Sequence, residues 1–207
     1  MELRDEILDL CKNAKAASAK LALADTEQKN GILLCIARIL REHTAELTAA
    51  NRLDLDRAAD SGLAKAMIDR LTLSEKRVET ICRSLEELVN LEDPIGKGES
   101  WERPSGITIR HIRVPLGVVA IIYEARPNVT VDSAALCLKT GNAVVLRGGK
   151  EAIHTNKKLV ELIKAALSEC GFDPHCVELI TSTDRESAQI LMNMRSYIDV
   201  LIPRGGK

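Results

Sequence analysis

The feature that most constrains this chain is a rhythm that begins at residue 117. Four short apolar runs, "GVVAIIY", "AVVLR", "CVELI" and "IDVLI", alternate with stretches of helical spacing. Continuous runs rich in Val and Ile, without polar alternation, read as strands buried on both faces. The helical stretches cover 129–140, 151 to about 170, and 184 to about 195, and the first two stop at Gly141 and Gly171, the usual left-handed helix end. Strand and helix in strict alternation imply a parallel sheet with helices on both faces. Right-handed crossovers then gather the strand-to-helix loops along one edge, where open α/β sheets bind their ligands.

The first ninety residues read instead as helices. Leu3, Ile7, Leu10, Ala14, Ala17 and Leu21 form one stripe. Asp25-Thr26-Glu27-Gln28 has the pattern of a capping box before a second helix that runs to about Arg41. A third spans 43 to about 59, "DSGLAKA" breaks it, and a short helix follows. Ser74 caps another helix that runs to about Leu91. Proline and glycine cluster in "EDPIGKGESWERPSG", which reads as a loop or linker. In "ITIRHIRVPLG", Ile107, Ile109, His111 and Arg113 alternate with Thr108, Arg110, Ile112 and Val114. The β-branched residues make this a strand, and its mixed faces fit partial solvation or a partner subunit.

Composition removes several classes of function. Lysine plus arginine, 29, nearly balances aspartate plus glutamate, 30, so there is no basic footprint for nucleic acid. Trp101, Tyr123, Phe172 and Tyr197 leave little on which to stack bases. No run approaches the roughly 18–20 apolar residues of a membrane span. The start, "MELRDEILDL", is acidic and amphipathic, unlike a secretory signal, and the cytoplasm is the expected compartment. Cys35, on the stripe Ile32, Ile36, Ile39 and Leu40, and Cys82, on the stripe Val78, Ile81, Leu85, Leu88 and Val89, read as reduced core thiols. Cys170, His175 and Cys176 could be metal ligands or two structural cysteines flanking a turn. With no second ligand pair nearby, no metal is expected.

Two turns on the loop edge share the string RGGK, at 147–150 and at 204–207. A glycine pair lets backbone approach a ligand closely, and free N–H groups at a helix start favour an anion. Arg147 and Lys150 add positive charge, so the turn suits a phosphorylated ligand. The plainer reading is two tight turns with solvated charges. Neither string is a Walker A loop, and no GxGxxG is present. The loop "YEARPNVT" opens on the same edge. Asn128 there is either a helix N-cap or an amide donor to an oxyanion, and Arg126 either pairs an anion or is a surface arginine.

The stretch "VPLGVVAIIYEARPNVTVDSAALCLKTGNAVVLRGGKEA" closely resembles the gamma-glutamyl phosphate reductase family, also called glutamate-5-semialdehyde dehydrogenase. "DVLIPRGGK" and "LAKAMIDRLTLSEKRV" are similar to further stretches of it. That family belongs to the aldehyde dehydrogenase superfamily. The resemblance implies an α/β fold: a Rossmann-like parallel sheet of the aldehyde dehydrogenase type with an N-terminal helical layer and a β arm. On this reading 1–95 form the helical layer, 96–116 a linker and strand serving as an oligomerisation arm, and 117–207 the NADP-binding part.

It also implies a reaction. A cysteine thiolate attacks the acyl phosphate of L-glutamate 5-phosphate and expels phosphate. NADPH gives hydride to the thioester, and glutamate 5-semialdehyde leaves, a step of proline biosynthesis. Arg147 looks like the counterpart of a lysine that touches the adenine ribose. Lys150 stands where NAD-preferring relatives carry a glutamate, so a cation here would welcome the 2′-phosphate of NADP. The cofactor-binding set is Arg147, Gly148, Gly149, Lys150, Gly205 and Gly206. Arg126 is the substrate-binding candidate and Asn128 the candidate oxyanion donor. The family's nucleophilic cysteine lies in a catalytic domain beyond residue 207, and none of the six cysteines matches it. The chain is therefore expected to be the cofactor portion of a homo-oligomeric enzyme, inactive alone. The alternative is a stand-alone nucleotide-binding or oligomerisation module.

Overall fold

The structure, a computed structural model, describes residues 2–204. Five helices come first: α1 (Leu3–Leu21), α2 (Thr26–Glu42), α3 (Thr44–Asp60), α4 (Lys65–Leu71) and α5 (Glu75–Val89). Their starts follow local chemistry. The Asp25 carboxylate accepts from the Gln28 N–H at 2.8 Å, and the Gln28 side chain accepts from the Asp25 N–H at 3.0 Å, so α2 opens on the capping box expected. Ser74 caps α5 by accepting from the Arg77 N–H. On α1 the stripe holds: Ile7, Ala14, Ala17 and Leu21 are buried. One thiol departs from expectation. Cys82 is fully buried, but Cys35 is half-buried at the rim where α2 meets the end of the helix at 153–169.

The segment read as a linker holds a strand. β1 (Gly98–Glu102) pairs antiparallel with β2 (Thr108–Ile112), with Trp101 opposite Ile109. Every residue of β1 is exposed, so no apolar alternation marks it, and its hydrogen bonds come from a partner rather than from its own sequence. In β2 only Ile109 is half-buried, in keeping with the solvated strand expected.

The second part is the βα repeat. β3 (Val118–Tyr123), α6 (Pro127–Lys139), β4 (Ala143–Arg147), α7 (Ile153–Glu169), β5 (Val177–Leu179), α8 (Arg185–Met192) and β6 (Val200–Arg204) follow in turn. The four strands are parallel, in the order β5-β4-β3-β6. Successive side chains of a strand point to opposite faces, and here each face has its own core. Val119, Ile121, Tyr123, Val144 and Leu146 pack under α2, α5, α6 and α7. Val118, Ala120, Ala143 and Val145 pack under α1 and α8. Thus α1 crosses to the face opposite the other N-terminal helices. Its anchor is Asp199, whose carboxylate accepts from Lys15 Nζ at 2.6 Å and from the Val118 N–H at 2.8 Å. Gly117 makes room: its φ is +119°, and the Asp199 carboxylate occupies the space a Cβ would need.

Candidate functional site

Parallel strands end on one edge, so Tyr123, Arg147, Leu179 and Arg204 stand in a row at the ends of β3, β4, β5 and β6. The first RGGK turn lies on that edge. Arg147 is half-buried and reaches sideways to the start of α8. Its guanidinium donates to the carbonyls of Thr183 and Asp184, each at 3.1 Å, and to Ser187 Oγ at 3.4 Å. Among the described residues its charge meets carbonyl dipoles and a hydroxyl and no carboxylate. Lys150 opens a single 3-10 turn and lines a groove of about 380 Å³ against Arg57 of α3. It is exposed and has no ion-pair partner among the described residues. The two cations therefore diverge from the glycine pair, one toward α8 and one toward α3.

The glycines are fixed by packing. A Cβ on Gly148 would meet the Asn156 amide, and would lie 3.1 Å from Tyr123 Cζ and Oη. A Cβ on Gly149 would lie 3.1 Å from the Ala125 nitrogen and 3.2 Å from the Glu124 carbonyl carbon. The pair is what lets β4 leave the sheet beneath the β3–α6 loop. Behind it runs a buried polar chain: Tyr123 Oη lies 2.7 Å from Thr130 Oγ1, which donates to Asn156 Oδ1 at 2.8 Å. Of the second string, Arg204 belongs to β6 rather than to a turn, pairing with Tyr123 as the preceding Pro203 pairs with Ile122. Gly205 and Gly206 lie outside the described residues.

The reading of Asn128 as an N-cap does not hold. Helix α6 starts at Pro127, whose fixed φ and missing N–H suit the first helical position, and the cap residue is Arg126. Asn128 sits inside the first turn, and its amide donates to Asp132 Oδ2 at 3.1 Å, one turn on. Arg126 is exposed and lines two depressions. One, of about 240 Å³, lies over the ends of β3 and β6 with Tyr123 and Arg204. The other, of about 370 Å³, lies between α6, α5 and α4 and includes Asn128, Asp132, Arg70 and Arg77. Sequence reasoning passed over Asp132, although its spacing of four from Asn128 put both on one helix face. It also passed over Arg204, which the strand-end position marks.

None of the six thiols lines these cavities. Burial pushes Cys11 and Cys82 up to about 11 and Cys137 and Cys176 up to about 12. Cys170, at the end of α7, is raised to about 11, first by burial and then by the neighbouring Cys35. A thiol held protonated is a poor nucleophile. His175 turns its Nδ1 to Glu178, and no group of three ligating side chains occurs among the described residues.

A parallel sheet covered by helices on both faces, with paired glycines at the end of its second strand beneath the loop from the first, defines a doubly wound α/β protein. The aldehyde dehydrogenase family profile matches residues 3–201, and the chain belongs to that family. Within it the likeness is to gamma-glutamyl phosphate reductases. The protein of that name from Halothermothrix orenii is 49% identical over 207 residues, covering 100% of this chain and 50% of its own. The one from Carboxydothermus hydrogenoformans is 51% identical over 203 residues, covering 98% and 49%. The crystal structure of the Thermotoga maritima gamma-glutamyl phosphate reductase superposes with a TM-score of 0.95 at 40% identity, covering 97% of this chain and 49% of that one. The chain thus spans about half the length of the relatives it matches.

Proposed function

We propose that this chain is the cofactor-binding part of a cytoplasmic, NADPH-dependent reductase that converts L-glutamate 5-phosphate to L-glutamate 5-semialdehyde and phosphate, in proline biosynthesis. The observation that carries the reading is the likeness, along nearly the whole of this chain, to about half the length of gamma-glutamyl phosphate reductases in both sequence and backbone.

The residues on the edge fit a phosphorylated dinucleotide. Among the described residues no carboxylate neutralises Arg147, and Lys150 has no ion-pair partner. Arg147, with Gly148 and Gly149 holding the turn close to the sheet, takes the adenosine side, and Lys150 takes the 2′-phosphate. Gly205 and Gly206 are the candidates for the pyrophosphate. NADPH, when bound, supplies hydride. Arg126 faces the substrate's anionic groups, and Asn128 gives an N–H to the oxygen on which charge develops once it leaves Asp132. The nucleophilic thiol is supplied by residues outside 1–207, because none of the six thiols lines the cavities along the edge. The exposed hairpin, with Trp101 at 46% and Ile112 at 51% exposure, packs on another copy of the enzyme.

The test is phosphate-dependent reduction of NADP by the full-length protein with glutamate 5-semialdehyde, followed at 340 nm. Turnover supports the reading, and its absence with active relatives as controls removes it. Residues 1–207 alone are expected to be inert, and activity in them would make one of their six thiols the nucleophile.

A further inference from the structure

The cavity of about 370 Å³ beside α6 carries charge that the fold does not use. Of its five charged side chains, Asp69 and Arg77 pair at 2.7 Å, and Arg77 also donates to the Thr72 carbonyl. Arg70 and Arg126 have no side-chain hydrogen bond or ion pair among the described residues. Asp132 has one hydrogen bond, from the Asn128 amide, and so keeps most of its acceptor capacity. Asp132 is an exposed residue that lines the cavity, yet enough protein surrounds its carboxyl that desolvation raises its pKa above the ordinary value, partly offset by Asn128 and Arg204. The first turn of α6 holds no acidic residue, so its positive end adds to the two arginines. Beyond the Asp69–Arg77 pair, the cavity therefore presents two cationic groups and one anionic group on the same lining, which is the complement of an α-amino acid. Its volume is at the small end for ligand sites and suits a five-carbon molecule.

We infer that this cavity holds the α-amino-acid end of the substrate, with Arg126 and Arg70 on the α-carboxylate and Asp132 on the α-ammonium. This rests on the reductase reading above. Arg126 lines both this cavity and the depression over β3 and β6. A substrate seated by its amino-acid head thus extends across Arg126 toward the strand edge. Asp132 and Arg70 are then specificity residues that favour the glutamyl compound over acids lacking the amino group.

The experiment uses the full-length enzyme in the oxidative direction, with NADP, phosphate and three aldehydes. These are glutamate 5-semialdehyde, 5-oxopentanoate, which lacks the α-amino group, and 4-aminobutanal, which lacks the α-carboxylate. Asp132→Asn is expected to raise KM for the semialdehyde by about tenfold and for 5-oxopentanoate by less than about twofold. Arg126→Gln is expected to raise KM for the semialdehyde about tenfold and for 4-aminobutanal by less than about twofold. Equal changes for paired aldehydes, or no change, overturn the subsite. Calorimetric binding of L-glutamate and glutarate to wild type and Asp132→Asn gives a second readout that needs no turnover. L-Glutamate preference lost in the variant supports the site, and equal binding in both proteins overturns it. A wild-type enzyme that turns over no aldehyde but shows this preference removes the reductase reading and keeps the subsite.

Discussion

The Lys29 ammonium lies 2.5 Å from the Asp93 carboxylate, with the two side chains only 3% and 8% exposed. Asp93 also accepts from Thr26 Oγ1 at 2.8 Å and from the Ile95 N–H at 3.0 Å. Close by, the buried Lys139 ammonium donates to Asn30 Oδ1 at 2.6 Å and the Val89 carbonyl at 3.1 Å. One carboxylate thus stands for two nearly dry cations at the junction of α2, α5 and α6. Asp93→Asn leaves both uncompensated, and we expect a loss of about 3–5 kcal/mol, read by urea denaturation.

The same pair sets a pH dependence. Burial alone would raise the Asp93 carboxyl, but Lys29, the Ile95 N–H and Thr26 outweigh it and hold the pKa below the ordinary 3.8. A lowered carboxyl contributes stability that is complete above 3.8 and is lost as pH falls through the folded value. The stability gap between wild type and Asp93→Asn should be flat near neutrality and narrow below 3.8. A gap that stays constant into acid would mean the charge is not what stabilises.

Three glycines give opposite signs. Gly148→Ala drives a methyl into Asn156 and the Tyr123 ring, and Gly149→Ala presses on the backbone at 124–125. Each is expected to cost about 1–3 kcal/mol. Gly31 lies on an open face of α2 with nothing within 4 Å of its missing Cβ, so Gly31→Ala should gain about 0.5–1 kcal/mol. Thermal melts of the three variants check both directions.

Asp54 of α3 caps a helix in another part of the sequence. Its buried carboxylate accepts from the His154 N–H at 3.1 Å, the Thr155 N–H at 2.8 Å and Thr155 Oγ1 at 2.6 Å. Asp54→Ala strands those donors at the start of α7 and should cost about 2–4 kcal/mol. Hydrogen exchange should rise first in the opening turn of α7. Uniform exchange across the protein would show that the contact is not local to that helix end.

Lys150→Glu is expected to weaken NADPH by about tenfold relative to NADH, the loss of one charge-assisted contact to the 2′-phosphate. Fluorescence titration of the full-length enzyme with each cofactor decides it. Equal losses for both would place Lys150 elsewhere.

Thiol chemistry should follow burial. Among residues 1–207, iodoacetamide at mildly alkaline pH should label half-buried Cys35 first. Cys137 and Cys176, pushed up to about 12, should resist until the protein unfolds. Peptide mass mapping with time gives the order, and early labelling of Cys137 would contradict its burial.

What the sequence determined by itself is most of the elements, β1 excepted, and most of their ends. Capping at Asp25 and Ser74, the positive φ at Gly141 and Gly171, and the apolar periods of helix and strand act over a few residues, so they can be read without the fold. The family resemblance rested on the same local strings. The tertiary structure alone decided which elements meet. It set β6 beside β3, sent α1 to the far face through Lys15 and Asp199, and paired β1 with β2 although β1 has no apolar face. It placed Asn128 against Asp132, tied Arg147 to α8 and gave Gly148 and Gly149 their neighbours. Those outcomes depend on groups far apart in the chain, whose approach is fixed only when burial of both sheet faces forces the layers together.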